Sequence, residues 1–473
     1  MGGNQSSEKQ FKPQEKNKPR HTRVITNTPY LKALFQKLAQ RSGDGLDVQT
    51  NTYTTVSQQV FEDAFNGPLK VFGRLLFCHM NGHSGLEKSA CIHLKEFLEV
   101  ASDVMGLMTS TQQIDYYFDM FSGGQPTINI DGLYHMIQVT VAVSIMVAYL
   151  PFDQSPGNDK LMRALAISLM GPNEILSKAE FMNWCHRHTP NIFNGLHCFL
   201  LIKLSGTEFD DMSWHQRMSQ AKGKDLSEAS VALLRHLEEA TTEVVLTPCV
   251  LWLLSASLPN RYVMEQKSTD SKSSIVPNFL ISRLQLLTEK NAWSQLYCSN
   301  RNGLSVNRFE HHVFAYRGPT VSLFVFENNL YALATDQEWR ESSSMWGSER
   351  TFLIQLKPRY ALVDSGSIIY SNHHMRGVFK GIQIGSNPKD PVIKIADMAT
   401  VSHRGVQLTL EQVEVWGCAN SAIRDIQLKQ RAWERKEVEK VNNRKLKLEN
   451  WQDNPDRMLL DWVGVKTSHH EKV

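Results

Sequence analysis

Three stretches of different patterning mark this chain as an α+β protein built from several domains. From about residue 28 to about residue 240, apolar residues recur at helical spacing. After about residue 295 they fall into short strand-like runs separated by polar turns. From Ser421 to about Asn450 there is neither Gly nor Pro, and Lys, Arg, Glu and Gln dominate, which predicts one long polar helix. With 473 residues, 41% apolar and 21% charged, the chain is long enough for roughly two to four domains whose cores need no disulfides.

The amino-terminal residues read as a lipid-anchored arm. Met1-Gly2-Gly3-Asn4-Gln5-Ser6 fits the N-myristoylation pattern, with Gly2 as the acceptor amine and Ser6 in the hydroxyl position. Lys9, Lys12, Lys16, Lys18, Arg20 and Arg23 follow, broken by Pro13 and Pro19, so residues 1–27 are expected to be a disordered basic arm. Residues 1–23 carry net +4, residues 419–473 net +3 and the remainder net −4. One acyl chain anchors only marginally, and a polybasic tract supplies the second signal toward an anionic membrane surface. A total of +3 gives no ground for nucleic-acid binding.

Thr28-Pro29 sets an N-cap and a first-turn Pro, opening a helical region expected over residues 28–240. A signature recurs in it: an apolar residue, three others, an acidic residue, then an aromatic or Leu. It occurs as Ile92-His93-Leu94-Lys95-Glu96-Phe97 and Leu176-Ser177-Lys178-Ala179-Glu180-Phe181, with a weaker copy from Ile128 to Leu133. This resembles the second half of an EF-hand, where a Glu at loop position 12 holds calcium bidentately. Counting back from Glu96 puts Gly85, Glu87 and Ser89 at positions 1, 3 and 5; from Glu180, Leu169, Gly171 and Asn173. Such loops lack the six to eight oxygens calcium needs, so EF-hand-like helix pairs without calcium are expected. The run Thr127-x-Asn129-x-Asp131-Gly132 looks more like a ligand series but reaches Gln138 at position 12.

The apolar runs Ile137–Leu150 and Val244–Leu258 fall short of the ~20 residues a membrane span requires and are expected as buried helices. Cys185, His186, His188, His197 and Cys198 have zinc-ligand chemistry in a spacing that matches no common framework, so no metal is predicted. The seven cysteines include no C-x-x-C pair and suit a reduced, cytosolic compartment. No nucleophile elbow, zincin, P-loop or dinucleotide motif is present.

Thr320–Phe326 and Leu330–Ala334 flank Glu327-Asn328-Asn329 as a hairpin. Phe352–Leu356, Ile368–Tyr370, Ile382–Ile384 and Val413–Gly417 continue the strand series toward an antiparallel sandwich. Trp293-Ser294-Gln295-Leu296-Tyr297-Cys298-Ser299, Gly303-Leu304-Ser305, Leu330–Ala334 with Trp339, Gly347–Leu353, Gly381–Gly385 and Val413–Gly417 occur in the order of a TLDc domain, and this part of the chain resembles that family. The resemblance, expected over residues 241–418, implies a two-sheet antiparallel β-sandwich flanked by helices, without established enzymatic activity. Family members often carry an acidic residue just before Thr-Phe; here Arg350 holds that place and Glu349 stands one position early. In a strand that shift would turn the carboxylate to the opposite face.

Residues 419–473 form the remaining segment, a C-terminal helical arm. Its apolar residues are too sparse for a heptad seam, and so polar a helix is not expected to pack tightly on its own domain; the alternative is a solvated helix folded against the body, with the short helix after it covering a core edge. Asp453-Asn454-Pro455 then starts a short helix bearing Met458, Leu459 and Trp462. Trp433, Val441, Trp451, Arg457, Met458, Leu459 and Trp462 are the candidate partner contacts, because Trp and Arg dominate interface hot spots.

Lipid arm, EF-hand-like region, TLDc domain and long C-terminal helix together resemble the mTOR-associated, lysosomal branch of TLDc proteins. That resemblance implies a non-enzymatic adaptor at the cytoplasmic face of the lysosomal membrane, and in the cytoplasm. Its implied partners are the peripheral sector of the vacuolar-type proton ATPase and components of the mTOR complex, with no cofactor beyond covalent myristate. The competing expectation is an oxidative-stress-protective enzyme sited in the TLDc domain; a calcium sensor is a third. If the arm is acylated as its sequence predicts, Gly2→Ala shifts the protein from the membrane to the soluble fraction of a cell lysate, whereas an unchanged distribution removes myristate from the account.

Overall fold

The computed structural model describes residues 29–43, 45–47, 52–65, 69–82, 90–147, 155–204, 244–263, 293–419 and 421–443, together with 459, 462 and 463. The basic arm with Gly2, Lys9, Lys12, Lys16, Lys18, Arg20 and Arg23 lies outside the described residues, as do Trp451, Arg457 and Met458 and the side chain of Val441.

The first part is helical: α1 (Pro29–Ser42), α2 (Gln58–Asp63), α3 (Lys70–Gly82), α4 (Leu94–Gly106), α5 (Ser110–Ser122), α6 (Ile130–Val147), α7 (Pro156–Met170), α8 (Lys178–His188), α9 (Asn194–Leu204), α10 (Pro248–Ser257) and α11 (Asn260–Val263). Their starts follow local chemistry. Thr109 and Gln112 form a reciprocal capping box on α5, and Ser177 and Glu180 one on α8. Thr247 accepts from Val250 N ahead of Pro248, which opens α10. Gly123, at φ 63°, ends α5 in the left-handed conformation. Residues 137–147 of the first apolar run lie in α6 and residues 248–257 of the second in α10, and no helix among the described residues is long and apolar enough to cross a membrane.

Short strands intervene. β1 (Leu46–Asp47) pairs with β2 (Thr52–Tyr53); β3 (Thr55–Ser57) pairs with β4 (Cys91–His93); β5 (Thr127–Asn129) pairs with β6 (Ile175–Ser177). The last two pairs each join the approach to one helix with the approach to another. Their central residues, Val56 opposite Ile92 and Ile128 opposite Leu176, are buried. The recurring sequence signature had marked three of these four segments. The fourth, at Val56, was missed because Val60 stands where the acidic residue is expected.

The second part holds two antiparallel sheets. One has six strands in the order β11-β10-β9-β8-β17-β7, formed by β7 (Ser294–Cys298), β8 (Thr320–Phe326), β9 (Asn329–Thr335), β10 (Phe352–Lys357), β11 (Ala361–Ser365) and β17 (Gln412–Gly417). The other runs consecutively from β12 (Ile369–Asn372) through β13 (Gly381–Ile384), β14 (Ile393–Ile395) and β15 (Thr400–His403) to β16 (Val406–Thr409). The expected β8–β9 hairpin is present, with Phe326 opposite Asn329 and Glu327 at φ 52° in the turn. Helices α12 (Ser299–Asn302) and α13 (Val306–Val313) sit beside β7, and α14 (Ser421–Asn443) follows β17.

Apart from its edge strand β11, the six-stranded sheet is buried on both sides. Phe324, Phe326, Tyr331, Leu333, Val413 and Val415 join a core with Ile369, Ile382, Ile384 and Ile395 of the second sheet. The alternate residues Val321, Leu323, Leu330, Ala332, Ile354 and Trp416 join the core of the helical part. Such two-sided burial is why β8 and β9 read as continuous apolar runs with little alternation.

Polar ties close the seam between helices and sheet. The fully buried carboxylate of Glu414 accepts from Val245 N (2.9 Å), Leu246 N (3.2 Å), Gln412 Nε2 (3.1 Å) and Trp416 Nε1 (3.1 Å). The Tyr360 hydroxyl lies 2.9 Å from both His188 O and Ser257 Oγ, while its backbone carbonyl accepts from Ser168 Oγ. Burial raises the Glu414 carboxyl above its ordinary range against the lowering pull of its donors. The folded state therefore holds that proton more tightly than the unfolded chain, and its contribution is lost as pH rises through the folded value. Glu414→Ala leaves several buried donors without an acceptor and should cost about 2–4 kcal/mol. In melts across pH, the deficit of Glu414→Ala against the native protein should be largest in acid and shrink as pH rises.

Candidate functional site

The carboxyl-terminal arm does pack on the domain, contrary to the expectation for so polar a helix, and polar residues do the packing. Helix α13 ends at Val313, and the last four carbonyls of any helix lack intrahelical donors. Two side chains of α14 supply them. Gln427, almost fully buried, donates Nε2 to His312 O and Phe314 O, both at 3.0 Å. Arg431 donates Nη2 to Phe314 O (2.9 Å) and Glu310 O (3.2 Å), placing a cation at the negative end of the α13 dipole. Arg424 bonds Gln427 Oε1, which leaves the Gln427 amide nitrogen facing the carbonyls, and Ala419 N donates to Tyr316 Oη (3.0 Å). Ile423 adds its side chain to the β-domain core. Ile423, Gln427 and Arg431 are spaced four apart and share one helix face.

Beyond this root the arm presents apolar groups to solvent. Trp433 is 58% exposed, and Ile426 and Val438 are exposed as well. Leu459 and Trp462 are helical positions of the following short segment, and Trp462 is 92% exposed. The candidates Trp433, Leu459 and Trp462 are thus at the surface, but none of them takes part in rooting the arm.

A second feature lies at the foot of the arm. Glu310 of α13, Glu341 of the segment after β9, and His373 and His374 after β12 converge beside a cleft of about 500 Å³ lined by Asn307, Glu310, His311, Phe314, His374 and Arg431. Glu341 Oε1 accepts from His373 N (2.9 Å) and His374 N (3.0 Å), fixing the loop. His374 Nε2 is 3.2 Å from Glu310 Oε2 and 3.9 Å from Glu341 Oε1. The His373 side chain is 6% exposed, with Nε2 3.9 Å from Glu310 Oε1, and neither atom has a hydrogen-bond partner. Burial pushes the His373 imidazole down, opposed by the Glu310 and Glu341 carboxylates. Among the described residues, Glu310, Glu341 and His374 form the group of His, Cys, Asp or Glu donors close enough to share a metal ion. No local pattern joins them, because they stand 31 and 33 residues apart.

The other residues singled out from the sequence have structural partners. Glu96 Oε2 accepts from His93 N and Glu180 Oε2 from Ser177 N and Oγ, so both carboxylates cap the helices that follow them. Cys185 and Cys198 are core residues, and His197 Nδ1 meets Tyr117 Oη at 2.9 Å. Glu349 and Arg350 lie not in a strand but in an exposed turn before β10, so the expected switch of strand face does not apply to them. Thr351 is the buried member, its Oγ1 accepting from Ser348 N. Burial pushes the Cys185 and Cys418 thiols up, away from the thiolate form that nucleophilic or peroxide chemistry uses.

Comparison with known proteins bears on the second part of the chain. The family model described as the TLDc domain matches residues 269–412. Restriction of telomere capping protein 5 of Kluyveromyces lactis is 25% identical over 180 residues, covering 30% of this chain and 30% of that protein. The chain thus spans under a third of the length of the curated relative it matches.

Four hydrogen bonds from Gln427 and Arg431, at about 1 kcal/mol each, hold the root. Replacing both residues by Ala should speed amide exchange across residues 421–443 at least tenfold while leaving β8 and β9 protected, as read by hydrogen-exchange mass spectrometry.

Proposed function

The chain carries a TLDc domain over residues 269–412, and on that footing we propose that it is a non-enzymatic adaptor whose carboxyl-terminal arm docks a protein partner. The observation that carries this reading is the division of labour along the arm. Gln427 and Arg431 tie its first turns to the domain, while Trp433, Val438, Leu459 and Trp462 stand exposed. An amphipathic body with a rooted base loses little orientational freedom when its exposed aromatics are buried, and Trp is the residue most enriched at binding hot spots.

The TLDc resemblance supplies the partner: the peripheral sector of the vacuolar-type proton ATPase, on the cytoplasmic face of the lysosomal membrane. Myristoylated Gly2 and the six basic residues of the arm hold the protein there, and mTOR complex components are its signalling contacts. The four helix approaches paired through Val56–Ile92 and Ile128–Leu176 are EF-hand-like units; the position-12 carboxylates of two of them, Glu96 and Glu180, serve as caps, and Val60 and Gly132 hold that place in the other two, which supports a structural role without calcium. The two sheets sharing one core are the sandwich of the TLDc domain. Burial makes the Cys185 and Cys418 thiols unsuited to antioxidant chemistry, so a thiol-based enzyme would have to use Cys78 or Cys91, the more accessible thiols among the described residues.

Co-purification from detergent-solubilised lysosomal membranes tests the assignment. The intact chain should recover ATPase subunits. A chain ending at residue 419 should lose them and, without Ile423, Gln427 and Arg431, melt cooperatively at a lower temperature; Trp433→Ala with Trp462→Ala, which leaves that root in place, should keep the melting transition and weaken recovery by more than tenfold. Equal recovery with the truncated chain would move the contact off the arm.

A further inference from the structure

We propose that Glu310, Glu341 and His374 bind a zinc-type divalent cation at the foot of the carboxyl-terminal arm, with His373 supporting the Glu310 carboxylate. Three segments distant in sequence bring these groups together: a helix, the loop after β9 and the loop after β12. Their donor atoms all lie within 4.8 Å of one another, and the two closest contacts of His374 Nε2 are 3.2 and 3.9 Å. Ligands of a tetrahedral zinc at about 2.0 Å stand roughly 3.3 Å apart, so His374 Nε2 and Glu310 Oε2 already stand at ligand spacing and the Glu341 carboxylate closes inward to complete the set.

A simple His–Glu ion pair accounts for only part of the arrangement. It explains the 3.2 Å contact between His374 and Glu310 Oε2. It leaves Glu310 Oε1 and the buried His373 Nε2 facing each other at 3.9 Å, each without a hydrogen-bond partner. Buried polar atoms are rarely left so unless a further species or a slight closure completes them. A cation drawn between Glu310, Glu341 and His374 would fix the Glu310 carboxylate and bring its second oxygen to His373, the usual support for a ligating carboxylate. Glu341 is already held by two backbone N–H groups, which presets its oxygen toward His374.

The charge balance suits a divalent ion. Two carboxylates neutralise it, and the neighbouring Arg431 is itself paired with Glu434 Oε2 at 2.9 Å. One imidazole and two carboxylates make a mixed nitrogen–oxygen set with too few oxygens for calcium, and they suit zinc. His374 is 67% exposed, so the remaining coordination position opens to the cleft.

Zinc ion alone, titrated calorimetrically into the metal-free full-length protein, tests this. One saturable equivalent should bind, with affinity falling at least tenfold in His374→Ala and in Glu310→Gln but not when both His469 and His470 are replaced by Ala. Cobalt(II) as a spectroscopic probe should give the intense visible bands of a four-coordinate ion in the native protein and lose them in His374→Ala. His374 is mostly exposed, so that variant keeps the metal-free melting temperature and decides the matter even if Glu310→Gln folds poorly. Absence of saturable zinc binding, or binding undiminished by His374→Ala, overturns the site.

Discussion

The rest of the molecule depends on a sheet with two buried faces. Side chains alternate along a strand, so β8 and β9 send one set, Phe324, Tyr331 and Leu333 among them, to the second sheet. The other set, with Val321, Leu330 and Ala332, goes to the helices. At about 25 cal/mol per Å² of apolar surface, neither face could be left in water without a large loss. The helical region and the five-stranded sheet are therefore both required coverings of one central layer, and the core of each extends into it.

That constraint explains where the buried polar groups sit. Glu414 lies on β17 with its side chain on the helical face, where residues 244–246 arrive with unpaired backbone N–H groups; its carboxylate meets two of them. Tyr360 does the same further along the seam, its ring against Trp184 and its hydroxyl shared between His188 and Ser257. Each is a polar group that burial would penalise, placed where the chain would otherwise bury its own backbone unsatisfied. At the outer edge, the carbonyls ending α13 pose the same problem, and Gln427 and Arg431 solve it from the arm. The arm's orientation is thus a by-product of satisfying a helix end. Glu310 and its histidine neighbours lie at that junction, so an ion there would stiffen the element on which the arm is seated.

Much was legible from residue patterns because it depends on neighbours in sequence. The Thr28-Pro29 pair announced α1, the Phe326–Asn329 turn announced its hairpin, and the lack of Gly and Pro announced α14. The TLDc landmarks were likewise local strings. The fourth paired segment at Val56 escaped because a single apolar residue carries the pairing and Val60 breaks the pattern around it. Gln427 and Arg431 escaped because polar residues spaced four apart on a helix ordinarily signify solvent, and only the nearby end of α13 makes them structural.

By itself, then, the sequence determined where helical and strand patterning prevail, the identity of the TLDc segment and the long polar helix of the arm, because period, caps and motifs act over a few residues. Only the tertiary structure decided that β17 runs between β7 and β8, that one sheet serves two cores, and that Glu310, Glu341, His373 and His374 meet. Those outcomes rest on contacts between segments tens to hundreds of residues apart. Which of the many apolar or titratable groups come together is set by how the layers cover one another, and no local pattern records it.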